Sequence, residues 1–79
     1  MHEHYQRLRD LREDNDFSQE DIAYILGISR PQYTLYESGK RAIPIKYLRI
    51  LARKYKVSID YLVGDTDIPN RYPKSNKQK

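Results

Sequence analysis

Tyr5, Leu8 and Leu11 recur every three residues among Arg7, Arg9, Asp10 and Arg12, the spacing of an amphipathic helix, and the polar run Asp14-Asn15-Asp16 breaks it. Ile22, Ala23 and Leu26 predict a second, short helix. Ser18 stands at its N-cap, and Asp21, three residues on, is a shorter stand-in for the capping-box glutamate. Gly27 follows Leu26, where a left-handed conformation ends the helix and turns the chain. Ser29 caps a third helix, and Pro31 is tolerated because first-turn N–H groups have no intrahelical acceptor. Tyr33, Tyr36 and Glu37 share one side of it, leaving Arg30, Gln32, Thr34, Leu35 and Ser38 to other faces until Ser38-Gly39 stops the segment. Pro44 opens a fourth helix with an apolar stripe of Leu48, Leu51, Ala52 and Tyr55, coated by Lys46, Arg49, Arg53, Lys54 and Lys56. Ser58 caps a fifth, Ile59 to Val63, closed by Gly64. No run alternates as a strand does and nothing repeats at a solenoid period, so the fold is expected to be all α, a compact five-helix bundle.

Beyond Gly64 the pattern ceases. Residues 65–79 hold two prolines and almost no apolar side chains, and are expected to form a flexible basic tail on a domain spanning residues 1–64. At 79 residues the chain allows one small domain, and with no cysteine it has no disulfide, so helix packing or oligomerisation must stabilise it. This size excludes a large enzyme, and the lack of cysteine fits a reducing, cytoplasmic setting. No stretch approaches the roughly 18 apolar residues of a membrane span, and the N-terminus lacks the regions of a secretory signal.

Charge changes the picture, because it is segregated. Residues 1–28 carry three basic and seven acidic groups, and residues 29–56 carry eight basic groups against Glu37 alone. A compact middle segment therefore presents a positive face suited to a polyanion, or a solvated surface that keeps the protein soluble. The second and third helices, joined by a tight glycine turn, have the helix-turn-helix plan, which also occurs for packing alone.

Leu8-Arg9-Asp10-Leu11-Arg12, Phe17-Ser18-Gln19-Glu20-Asp21-Ile22-Ala23, Gly27-Ile28-Ser29 and Tyr36-Glu37-Ser38-Gly39-Lys40-Arg41 resemble, in order and spacing, the XRE family of Cro and phage-repressor helix-turn-helix domains. The resemblance covers about residues 5 to 64 and implies a lambda-repressor-like fold. It further implies sequence-specific binding of double-stranded DNA, commonly by a homodimer on a palindromic operator, with the third helix in the major groove. Such a protein is a bacterial or phage transcriptional regulator, expected to repress by occluding a promoter, in the nucleoid-associated cytoplasm.

The matched residues have physical reasons to stand where they do. Ala23 lies where the two helices of the motif cross, so a larger side chain there would mis-aim the third. Gly27 makes the turn, while Ile22, Leu26, Ile28, Tyr33 and Tyr36 are expected to fill the core. Tyr33 departs from the pattern of the family, which usually places an aliphatic or aromatic residue here, most often Ile or Val, and its hydroxyl is expected to reach water, a backbone carbonyl or a phosphate. Arg12 and Glu37 match positions that pair the first and third helices, either fixing the third in orientation or forming a weak surface pair. Gln19 at the start of the second helix is expected on a phosphate oxygen, grouped with Ser29 and with Lys40 and Arg41 just beyond the third helix. Base reading falls to Arg30, Pro31, Gln32, Thr34 and Leu35: Arg30 bidentate on guanine, Leu35 or Pro31 against a thymine methyl, and Gln32 on base or phosphate. The family places self-association near Pro44 and the fifth helix, at Ile59 and Tyr61.

Other chemistry finds no motif. His2 and His4 are two residues apart without a cysteine, so no zinc site is expected. Gly39-Lys40 lacks the rest of a P-loop, and Asp60, Asp65 and Asp67 lack calcium-loop spacing. No metal, cofactor or enzymatic activity is expected. With no sensor domain anticipated after Gly64, control is expected through concentration, a regulatory protein partner or proteolysis. The rival reading is a protein-interaction module, an antitoxin or adaptor, whose exposed Tyr and Leu residues dock a protein. Affinity that falls steeply with salt distinguishes the DNA binder.

Overall fold

The computed structural model describes residues 6–69. They form α1 (Gln6–Asp14), α2 (Gln19–Leu26), α3 (Arg30–Glu37), α4 (Ile45–Tyr55) and α5 (Ile59–Leu62), with no strand among the described residues. Each helix sends one fully buried side chain to the centre: Leu8, Ile22, Tyr33, Leu51 and Leu62. Ala23, Leu26, Tyr36, Ile43, Leu48, Ala52 and Val57 complete the core, and Leu11, Phe17, Ile25 and Ile28 pack against it half-buried. Burying each large aliphatic side chain stabilises by about 1.5–3 kcal/mol, and in a domain this small the fold depends on nearly all of them.

Local sequence fixes where the helices begin and end. Ser18 Oγ accepts from Asp21 N–H at 3.0 Å, and the Asp21 carboxylate accepts from Ser18 N–H at 2.9 Å, so the capping box forms with aspartate in the glutamate's place. Gly27 turns out of α2 at φ +75°, with Ile28 N–H donating to Ala23 O at 2.9 Å. Ser29 Oγ caps α3 by accepting from Gln32 N–H at 3.2 Å, and Pro31 occupies its first turn. Pro44 has no capping side chain, but its carbonyl accepts from Tyr47 and Leu48 N–H at 3.0 and 3.2 Å.

Three details differ from the sequence expectation. α4 ends through Lys56, left-handed at φ +61°, with no glycine to announce it. α5 stops at Leu62, and Val63 serves as its C-cap before Gly64 turns at φ +85°. Of the tail expected from residue 65, the described part, residues 65–69, is held against the domain. Ser58 N–H donates to Pro69 O at 3.0 Å. From α1, Arg7 donates to Tyr61 O at 3.1 Å, to Thr66 O, and to the Asp67 carboxylate at 2.6 Å. His2, His4, Tyr5 and residues 70–79 lie outside the described residues. No helix of the described residues is long and apolar enough to cross a membrane.

Candidate nucleic-acid interface

α3 is held from behind by a buried ion pair. Arg12 Nε and Nη2 donate to the two oxygens of Glu37 at 2.8 and 3.0 Å, and Nη1 donates to Phe17 O at 2.9 Å. The Glu37 side chain is only 5% exposed and that of Arg12 12%. The reading of this pair as an exposed surface contact is therefore set aside, since two fully used carboxylate oxygens and low exposure make it an internal brace. Burial on its own would raise the Glu37 pKa, but the hydrogen bonds from Arg12 and Gln19 outweigh it and the carboxyl lies below its ordinary value. The same hydrogen bond to Glu37 raises the Arg12 pKa.

Gln19 joins this brace. Its Nε2 donates to Glu37 Oε2 at 3.2 Å, and because a carboxylate only accepts, this bond fixes which way the amide points. Gln19 Oε1 then faces Thr34, whose hydroxyl donates to it at 2.8 Å with Arg30 O as a second acceptor at 3.0 Å. The first turn of α2 is thereby tied to the middle of α3. Ala23, on α2, is 2% exposed and belongs to the core.

Tyr33 is fully buried, and the expectation for its hydroxyl does not hold: it lies beyond reach of a phosphate, has no partner at full hydrogen-bond geometry among the described residues, and interacts instead with the Glu37 carboxylate. The core closes over the ring end, leaving the oxygen inside. Burial first, then the charges of Glu37 and Tyr55 and a hydrogen bond with Glu37, raise its pKa.

The outward side of α3 has a different character. Arg30 and Pro31 are exposed, and Gln32, Thr34 and Leu35 are half-buried. The Arg30 guanidinium makes no hydrogen bond or ion pair with a described residue, whereas Gln32 Nε2 donates to Tyr36 Oη at 3.0 Å. Ser29 is exposed, with its hydroxyl engaged as the cap. Lys40 and Arg41 are exposed, and their backbone N–H groups donate to Leu35 O at 3.0 and 3.2 Å, which anchors both at the end of α3. The ion pairs seen among the described residues use Arg7, Arg9 or Arg12 and none of the eight cations of residues 29–56.

The helix-turn-helix family model matches residues 8–62. The chain belongs to the XRE family of helix-turn-helix proteins. It is 43% identical over 65 residues to the uncharacterised HTH-type transcriptional regulator YobD of Bacillus subtilis, covering 82% of this chain and 58% of that protein. It is 34% identical to the cryptic phage CTXphi transcriptional repressor RstR of Vibrio cholerae, over 77% of this chain and 55% of the other. Antitoxin PezA of Streptococcus pneumoniae is 32% identical, over 80% of this chain and 40% of its own. The chain thus spans about half the length of the curated relatives it matches. No solved structure gives a significant match.

For this XRE domain, the positions expected to mediate self-association lie apart from α3. Pro44 is exposed, Ile59 and Tyr61 are half-buried, and the Arg7 guanidinium carbon lies 4.1 Å from the centre of the Tyr61 ring. An open cleft of about 770 Å³ runs between α1, the start of α2 and α3, lined by Arg9, Arg12, Ser18, Gln19, Arg30 and Thr34 among others. Arg9, which the sequence reading did not single out, lines this cleft with its Nε donating to the Glu13 carboxylate at 3.2 Å. Its spacing of three residues from Arg12 on one helix was the available signal.

Proposed function

We propose that this chain is a sequence-specific, double-stranded-DNA-binding transcriptional regulator, a repressor that binds a palindromic operator as a homodimer with α3 in the major groove. One observation carries the reading. An exposed flank of α3, with Arg30 making no pair among the described residues, is flanked by the α2 N-terminus and by Lys40 and Arg41, on a helix braced through Glu37. A guanidinium free to make two parallel bonds suits guanine O6 and N7, and the flanking N–H groups and cations suit phosphates. Gln19, Ser29, Lys40 and Arg41 are proposed phosphate contacts, and Pro44, Ile59 and Tyr61 a proposed dimer surface. Membership of a family whose similar members include proteins named as transcriptional regulators and a repressor supports this assignment, and the assignment calls for a nucleoid-associated, cytoplasmic protein.

Selection from a random duplex pool, followed by titration of the recovered sequence at several salt concentrations, tests the proposal. A two-fold-symmetric site whose affinity falls steeply with salt is expected, and failure to enrich any sequence overturns it. A second reading, a protein-binding antitoxin or adaptor, has two points in its favour: the similarity to PezA and the 87% exposure of Tyr24 on α2. Binding that is indifferent to salt and to DNA sequence would favour it, together with a protein partner lost on Tyr24→Ala.

A further inference from the structure

We infer that α3 distinguishes sequences through Arg30, aided by apolar contacts from Pro31 and Leu35, and that Thr34 and Gln32 are positioning residues. The inference rests on the DNA-reading role proposed above and narrows it to a half-site of stated chemistry, a guanine beside thymine methyl groups.

The argument is one of free hydrogen-bonding groups. A side chain reads a base by hydrogen bonding only with donors or acceptors it can turn toward the groove. Thr34 has one proton, and it is directed to Gln19 Oε1 at 2.8 Å and Arg30 O at 3.0 Å, so the hydroxyl has no donor left for a base. The orientation of Gln19 is not negotiable while Glu37 is ionised, because Gln19 Nε2 must donate to that carboxylate. Thr34 therefore locks the Gln19 amide from one side as Glu37 does from the other, and the remaining Nε2 proton is the one available to a phosphate. Gln32 is restrained in a similar way. A bidentate contact to adenine needs its amide oxygen and nitrogen side by side at the base edge, yet Nε2 is directed along the helix to Tyr36 Oη at 3.0 Å.

Arg30 is left as the side chain of this flank with its donors unspent. Pro31 and Leu35 are four residues apart, on one face of the helix, and offer only carbon. Carbon recognises the thymine methyl and no other major-groove group.

The test compares the wild type with Arg30→Ala, Thr34→Ala, Thr34→Ser and Gln32→Ala in selection from a random duplex pool, then by titration on the recovered duplex. Arg30→Ala should erase a guanine preference of about 5- to 150-fold. Thr34→Ala should weaken every duplex by the same factor while keeping the preferred bases, and Thr34→Ser should restore affinity. In a Gln19→Ala background the Thr34→Ala change should have no further effect, which a merely structural loss would not produce. Two arms need no altered protein: 7-deazaguanine at the read position and deoxyuridine for thymine should each lower wild-type affinity. A changed base preference in Thr34→Ala or Gln32→Ala, or indifference to both nucleotide analogues, overturns the inference while leaving DNA reading intact. A wild-type pool with no common sequence overturns both.

Discussion

Glu37 is kept ionised in surroundings that alone would favour its neutral form, because Arg12 and Gln19 spend their donors on it. Removing Arg12 leaves a buried carboxylate without its cation, so Arg12→Ala should cost about 3–5 kcal/mol, and Glu37→Gln less because the Arg12 cation it leaves unpaired is more exposed and keeps its bond to Phe17 O. The pH dependence follows from the depressed pKa. Stability contributed by the ionised carboxyl is complete above the unfolded value, about 4.3, and is lost as pH falls through the lower folded value. Urea midpoints measured from pH 6 to pH 2 should fall for the wild type in that window, and Glu37→Gln should lack this share of the decline. Tyr33 presents a different case, a phenol buried without a well-formed hydrogen bond among the described residues and set against the Glu37 carboxylate. Tyr33→Phe should change stability near pH 7 by less than about 1 kcal/mol, since deleting the desolvated hydroxyl is offset by the loss of its interaction with the Glu37 carboxylate. Tyr55, pushed up to about 12 by burial, shares the consequence at high pH. The stability that such phenols contribute is present below their unfolded value near 10 and is lost as pH rises through the folded one. Unfolding followed by tyrosinate absorbance above pH 11 checks this, with Tyr33→Phe showing the smaller alkaline loss.

At the scale of elements, the turn between α2 and α3 isolates a backbone effect. A Cβ placed on Gly27 meets no heavy atom within 4 Å, so the position needs glycine for its φ of +75° and not for space. Gly27→Ala should destabilise by about 1–2 kcal/mol, and Gly27→Asn by less, in urea unfolding. Lys56 is the complement, a side chain in the left-handed region at φ +61°, where Lys56→Gly should stabilise by roughly 0.5–1 kcal/mol after the entropy cost of glycine. The same pair shows what was legible. Helices bounded by Ser18, Gly27, Ser29 and Ser58 could be delimited because capping chemistry is local and written in adjacent residues. The end of α4 could not, since packing of Val57 and the backbone bond of Lys56 to Ala52 impose it against local preference. The site divides in the same way. The exposed face of α3 follows from helical periodicity, but the use of Thr34 depends on a residue 15 positions earlier, which periodicity cannot report. The hold of Arg7 on residues 61–67, across more than 50 positions, was equally out of reach.

For the whole molecule the decisive quantity is where uncompensated charge lies. The acidic groups concentrate in residues 1–28 and the cations in residues 29–56, and the described ion pairs use none of the latter. Not all these cations are equivalent. Lys40 and Arg41 are tied by their backbone to the last turn of α3, so a helix seated in the groove brings them to a phosphate, whereas Lys46 and Arg49 lie on α4, beyond Pro44. Each phosphate contact adds about −0.9 to the slope of log K against log salt. Lys40→Ala should make the slope shallower by about 0.9 per bound chain. On a palindromic site held by a homodimer every substitution removes two contacts, and the change should be about 1.8. The doubly substituted Lys46→Ala, Arg49→Ala protein should keep the wild-type slope and lose only association rate, because distant cations attract DNA without displacing its counterions. Titrations of one selected duplex at four or more salt concentrations read all three outcomes. A slope that responds to the α4 cations and not to Lys40 would put DNA on a different face of the molecule, and a change near 0.9 would mean that one chain binds alone.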